Sequence, residues 1–283
     1  MTLHELCADS RRRLETKFPS GEAQAMVREI MLRLKGYSPV DLVVKGSDEV
    51  SDFIKDKTAG IIDRLLKDEP LQYIFGHAWF YGMDFEVTPD VLIPRPETAE
   101  LVDLIVDRYR SQSDLSVLDV CTGSGCIAIA LARNLSFSDV EAIDISQAAL
   151  AVAQSNNSQL KTKVKFRQAD ALKLPEEREP KYDIIVSNPP YITLAEKKDM
   201  EANVIDHEPH LALFVPDNDP LEFYHAIAKY AATALKNGGT LWFELNPLFA
   251  DTLADELRRD EWEDVELHRD TSAKNRFLSA VHR

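Results

Sequence analysis

Residues 94–283 predict a doubly wound α/β sheet of seven strands with the last strand antiparallel, behind a small N-terminal helical bundle (1–75) and a β-hairpin linker (76–93). Three observations carry this. From residue 94 onward, short apolar runs alternate with helical segments, the pattern of parallel βαβ units. The first run, 117–120, leads into Gly123 and Gly125, a tight turn before a helix. The final two strands have only a short link, too short for a parallel crossover, so the last strand must run back.

The bundle is read from period. Leu14, Phe18, Met26, Ile30 and Leu34 recur at helical spacing, and Phe53, Ile54, Ile61, Ile62, Leu65 and Leu66 do so again. Ser38-Pro39 and Gly46-Ser47 break the helices. His4 and Cys7 read as surface or packing residues. Between 76 and 93 the period shortens: Phe80, Met83, Phe85, Val87 and Val91-Leu92-Ile93 alternate or cluster, with turns at Tyr81-Gly82 and Pro89-Asp90. The seven strands then fall at 117–120, 140–145, 164–168, 184–187, 240–245, 265–268 and 277–281. Helices are expected at 126–135, 148–155, 221–235 and 249–259, the third stopped by Gly238-Gly239.

The chain's 283 residues are about twice one typical domain. With 45% apolar residues the chain can bury a core, which excludes wholesale disorder. The net charge of −15 is unevenly placed: residues 1–75 carry 12 basic and 13 acidic groups, residues 76–283 carry 21 and 35. A surface that acidic repels phosphate and argues against free DNA or RNA as the main ligand. No run reaches the ~18 apolar residues of a membrane helix, and residues 1–13 lack a signal peptide's apolar stretch. Cys7, Cys121 and Cys126 have no partners at metal-ligand spacing, so neither a disulfide framework nor a zinc site is indicated. A cytoplasmic protein without membrane or stable nucleic-acid partners is the expectation.

Chemistry concentrates at strand ends. Asp119-Val120-Cys121-Thr122-Gly123-Ser124-Gly125 closes the first strand, and its two glycines let the main chain approach a ligand at a helix N-terminus, or simply form a tight turn. The G-x-G-x-x-G pattern of dinucleotide sites is absent. Asp119 would repel a pyrophosphate but suits a cationic or hydroxyl-bearing ligand. Asp144 ends the second strand, where an acid would hydrogen-bond ribose hydroxyls. Asp170 follows the third, where it could face an adenine amino group. Singly each could be a helix N-cap; together they favour S-adenosylmethionine over NAD. Ser187-Asn188-Pro189-Pro190-Tyr191 follows the fourth strand. Its prolines donate no N–H, so the loop presents acceptors: the Asn188 side-chain oxygen and the Pro189 carbonyl for the two hydrogens of a substrate –NH2, with Tyr191 against a planar group. His207-Glu208-Pro209-His210 lacks a third metal ligand, and Glu244 reads equally as a supporting acid or a solvated one.

Asn188-Pro189-Pro190-Tyr191 with Asp119…Gly123-Ser124-Gly125 resembles the class I S-adenosylmethionine-dependent amino-methyltransferases. Gln72-Tyr73-Ile74-Phe75-Gly76, Phe80-Tyr81-Gly82 and Leu92-Ile93-Pro94-Arg95-Pro96-Glu97-Thr98 narrow this to the peptide chain release factor glutamine methyltransferases, the HemK-type family. Glu208-Pro209 and Asn275-Arg276-Phe277 are further matches. The resemblance implies a Rossmann-like methyltransferase sheet and methylation of the side-chain amide in a Gly-Gly-Gln loop of release factors. It maps the cofactor loop onto 121–125, the ribose acid onto Asp144 and the glutamine-binding loop onto 188–191, with Asn188 also counted among the cofactor contacts. The chain departs from the family pattern at Cys121, where Gly is common, and at Ala171, where some members carry an aromatic. Rival readings are a glutamine methyltransferase for a ribosomal protein, a nucleobase amino-methyltransferase, or a non-catalytic S-adenosylmethionine binder.

Overall fold

The computed structural model describes residues 1–260 and 262–283 and divides into two compact units. The first comprises residues 1–75 together with Ala202–His207. Its helices are α1 (Leu3–Leu14), α2 (Ser20–Lys35), α3 (Pro39–Val44), α4 (Asp52–Leu65) and α5 (Leu71–Phe75). Their ends follow local chemistry. Thr2 and Glu5 form a reciprocal capping box on α1, Ser38 and Asp41 another on α3, and left-handed Gly36 closes α2. Leu6, Leu14, Ile30, Met31, Ile62 and Leu65 form the core. Phe53, expected among them, is 65% exposed and lies under the Lys57 ammonium at 5.8 Å. His207 joins this unit through its ring nitrogen and the Lys67 carbonyl, 3.2 Å apart.

The second unit opens with a hairpin, His77–Phe80 against Met83–Glu86. Tyr81 and Gly82 both have positive φ, the two-residue turn that matches strand twist. The hairpin ends at Glu86; Val91 and Ile93, read as part of it, are buried but not in a strand. Helix α6 (Pro96–Tyr109) follows, outside the helices expected from the sequence. Then come β1 (Ser116–Val120), α7 (Cys126–Asn134), β2 (Asp139–Asp144), α8 (Gln147–Gln159), β3 (Lys165–Gln168), β4 (Tyr182–Ser187), α9 (Glu222–Ala234), β5 (Leu235–Glu244), α10 (Ala250–Arg259), β6 (Glu263–Arg269) and β7 (Asn275–Val281).

The sheet order is β6-β7-β5-β4-β1-β2-β3, with β7 reversed relative to the other six strands. Pleat parity gives each face its own core. Leu118, Val120 and Ile185 face α9 and α10, while Val117, Ile184 and Val186 face α6 and α7. Gly238-Gly239, expected to stop the helix, does not end α9. The helix stops at Ala234, and the glycines sit inside β5, where its register against β4 slips. A Cβ on Gly239 would meet the Lys236 carbonyl oxygen at 2.9 Å. The order in which successive strands are added reverses between the parallel strands β1 and β4, so the strand ends flanking that point open into a crevice.

Candidate active site

Five strand ends meet along the carboxyl edge. The loop 121–125 leaves β1, Asp144 ends β2, Asp170 follows β3, Asn188 follows β4 and Glu244 ends β5. A cavity of about 320 Å³ runs along the ends of β1 to β4, with Glu244 outside its lining. Cys121, Thr122, Gly123, Ser124, Asp144, Asp170, Asn188 and Pro190 line it; Asp119, Gly125, Pro189 and Tyr191 do not.

The loop after β1 is held from behind. Asp119 is fully buried between Leu118 and Val120 on the opposite pleat face. It accepts the Thr122 hydroxyl at 2.6 Å and the Ala128 N–H of α7 at 3.2 Å. Its expected ligand contact is therefore corrected: Asp119 ties the loop to α7, and burial pushes its carboxyl up to about 7. Gly123 (φ +54) lies on the cavity wall with open space where a Cβ would be. Gly125 (φ +81) faces α8 instead, where a Cβ would lie 3.2 Å from that of Ala153. Cys121 adopts φ +64, a left-handed conformation in a non-glycine residue.

Asp144 accepts two backbone N–H groups at 2.9 Å, from Gly123 and Ser146. Ser146, not Asp144, caps α8. A carboxylate offers about four acceptor positions, so Asp144 keeps free ones toward the cavity. Burial raises its pKa. Asp170 does cap a helix, the single 3₁₀ turn Ala171–Lys173, and Lys173 lowers its pKa. Ile145 and Leu172, each about two-fifths exposed, add apolar wall beside these acids.

On the β4 side, the Ser187 hydroxyl donates to the Val120 carbonyl at 2.6 Å and clamps the two central strand ends together. Asn188 donates from Nδ2 to Thr98 Oγ1 at 3.4 Å. Tyr191 packs against the core with its hydroxyl donated to Glu244 Oε1 at 3.3 Å, and its carbonyl accepts from Asn246 Nδ2 at 3.2 Å. Glu244 is 1% exposed and takes the Thr98 hydroxyl at 2.7 Å, so the solvated alternative is excluded. Burial pushes its carboxyl up to about 6. Glu208 is buried as well, accepting from the Ile93 N–H and pairing with Arg95, a cavity-lining residue. The sequence reading gave Thr98, Arg95 and Glu208 no roles. Their signal was the match of the strings around them, which said nothing of which side chains meet. Among the described residues no group of three His, Cys, Asp or Glu could hold a metal, and no helix is long and apolar enough to cross a membrane.

A parallel sheet with one reversed strand, and a glycine-bearing loop at the head of a cavity along its carboxyl edge, define a class I S-adenosylmethionine-dependent methyltransferase. The chain is 44% identical over 279 residues to the release factor glutamine methyltransferase of Bacteroides thetaiotaomicron, covering 98% of this chain and 99% of that one. It belongs to the family of release factor glutamine methyltransferases. The corresponding enzyme of Flavobacterium psychrophilum is 37% identical, covering 95% of each chain. Residues 5–76 match the PrmC N-terminal domain and residues 111–244 the methyltransferase domain. Two solved structures share the fold. The METTL16 methyltransferase domain aligns with TM-score 0.53 and 18% identity over 71% of this chain and 89% of that one. A methyltransferase from Pyrococcus furiosus gives 0.51 and 15% over 79% and 98%.

The residues present fit the cofactor. Gly123 leaves open space at the cavity wall, Ser124 Oγ is buried there without a nitrogen or oxygen partner, and Asp144 has acceptor capacity to spare.

Proposed function

We propose that the protein methylates the side-chain amide nitrogen of the glutamine in the Gly-Gly-Gln loop of peptide chain release factors. The observation that carries this is the placement of Asn188 on the same cavity as Asp144 and Gly123, in a chain matching the named relatives over nearly their whole length. Bound S-adenosylmethionine supplies a methyl group made electrophilic by its sulfonium. Asp144 would hold the ribose hydroxyls, Asp170 the adenine amino group between Ile145 and Leu172, and the 121–125 main chain the remainder. Asp119 works from behind, fixing Thr122.

An amide nitrogen is a poor nucleophile because its lone pair is delocalised into the carbonyl. Asn188 Oδ1 and the Pro189 carbonyl would each accept one amide hydrogen. That grip turns the lone pair toward the methyl group and stabilises the positive charge that develops on nitrogen. Tyr191, held by Glu244, would pack on the amide. No residue is assigned as a general base, since the methylated nitrogen is acidic enough to lose its proton to water. In this reading residues 1–75 are a substrate-recognition domain, 76–93 a linker and 94–283 the methyltransferase domain.

The test is transfer of labelled methyl groups to purified release factor, followed by peptide mapping. Label on the Gly-Gly-Gln glutamine supports the proposal; its absence with cofactor binding intact overturns it. Asn188→Ala should cut turnover by about 10²-fold or more, as loss of a positioned polar group does, with cofactor affinity unchanged by calorimetry. Asp144→Ala should raise the cofactor Kd by about tenfold or more, the loss expected for a hydrogen bond to a charged group; an unchanged Kd refutes the ribose contact.

A further inference from the structure

We infer that Glu244 and Thr98 set the polarity of the substrate-gripping loop: the Glu244 carboxylate, acting through the single hydroxyl proton of Thr98, fixes which end of the Asn188 amide faces the substrate. This rests on the methyl-transfer reading of that loop and adds two positioning residues to it.

A proton count carries it. An ionised carboxylate only accepts hydrogen bonds, and a threonine hydroxyl has one proton to give. Thr98 donates that proton to Glu244 Oε2 at 2.7 Å, so toward Asn188 it is an acceptor alone. Asn188 must therefore turn Nδ2 to Thr98, at 3.4 Å, and Oδ1 is left for an incoming N–H. The length of that second bond suits orientation more than strength. Glu244 also receives the Tyr191 hydroxyl, so both ends of the 188–191 loop refer to one buried carboxylate.

The arrangement reverses when Glu244 takes a proton. It can then donate to Thr98, whose own proton becomes free for Asn188 Oδ1. The amide turns over and presents –NH2 to a substrate –NH2, two donors face to face. Facing Glu244 are Arg276 on β7, which favours the carboxylate, Glu97 on α6, which opposes it, the Tyr191 hydroxyl, the Cys126 thiol on α7, and Tyr224 on α9, whose hydroxyl donates to the Glu244 main-chain carbonyl at 3.2 Å. Burial outweighs them and places the transition at about 6. The grip is intact above that pH and lost below it.

The test is kcat against pH for labelled methyl transfer to release factor, with cofactor affinity measured on each variant. The wild type should lose turnover on the acid side with a midpoint near 6, and Glu244→Gln should lack that limb. Thr98→Val should lower kcat by about 10–100-fold, the cost of a misplaced reacting group, at unchanged cofactor KM. Thr98→Ser, which restores the hydroxyl, should recover most of it. A Thr98→Val enzyme with wild-type kcat, or an acid limb that survives in Glu244→Gln, overturns the inference. So does a wild-type profile that is flat across the transition, which needs no variant to fold. Asn188→Ala separates the two levels: if that variant turns over normally, the reading of the loop itself falls. If it is inactive while Thr98→Val is normal, only the relay falls.

Discussion

Cys121 shows how a residue can be tolerated where another would be at ease. Its φ of +64 costs a side chain with a Cβ about 1–2 kcal/mol. Glycine would relieve that, but it loses about 0.5–1 kcal/mol more entropy on folding, and the sulfur's packing against the core would go too. The terms nearly cancel, so Cys121→Gly should change stability by less than about 1 kcal/mol. Cys121→Val, β-branched and least able to turn left-handed, should destabilise by about 2 kcal/mol or more; denaturant unfolding of both variants checks the pair. Much of the site was readable at this scale, because Asp144, Asp170 and Asn188 each stand at or just after the end of a strand that period announces. Asp119 was readable too, with stricter use of parity. Leu118 and Val120 share one core, so the residue between them points to the other face, toward α7. Thr98 and Glu244 lie 146 positions apart, and no periodic signal links residues so separated.

Among elements, the loop–helix junction after β1 does two jobs with two glycines. Gly123 opens space for a ligand, whereas Gly125 lets α7 pack on α8. Gly125→Ala combines a left-handed alanine with a Cβ pressed against Ala153 and should cost about 2 kcal/mol or more. Gly123→Ala carries only the backbone strain and should instead weaken cofactor binding; calorimetry beside unfolding curves distinguishes the two. The elements that sequence period identified were those with continuous apolar runs. Helix α6 was missed although Leu101, Val102, Ile105 and Tyr109 form a buried stripe and Pro96 stands at its first turn, because 92–98 was read as a motif and not as a helix start. Gly238-Gly239 was misplaced for a different reason. Glycine marks a helix end or a strand bulge equally well, and only the pairing of β5 with β4 decides.

For the molecule as a whole, buried acid is the dominant electrostatic fact. Asp119, raised to about 7, contributes stability that is fully present below its unfolded value near 3.8 and lost as pH rises through 7. Glu244 adds the same sign of effect, lost as pH rises through about 6. The thermal midpoint should therefore fall as pH rises from about 4 toward 7, and Asp119→Asn should flatten that part of the slope. If the variant keeps the wild-type slope, the cause is the general repulsion of a −15 chain and not this carboxyl. The sequence order of strands was legible from end to end, yet their spatial order was not, since local period carries no information about which strands pair.

Ala202–His207 leaves the residues around it to join the helices of residues 1–75, with His207 at the Lys67 carbonyl. Those helices are therefore not a cassette with a single seam. A chimera that grafts residues 1–75 from a relative onto this chain would carry a mismatched six-residue tenant, and faithful exchange requires two excisions. Substitutions in 202–207 and in the first 75 residues should accordingly be inherited together in functional hybrids. The unit of recombination is defined by what folds together, not by what is contiguous.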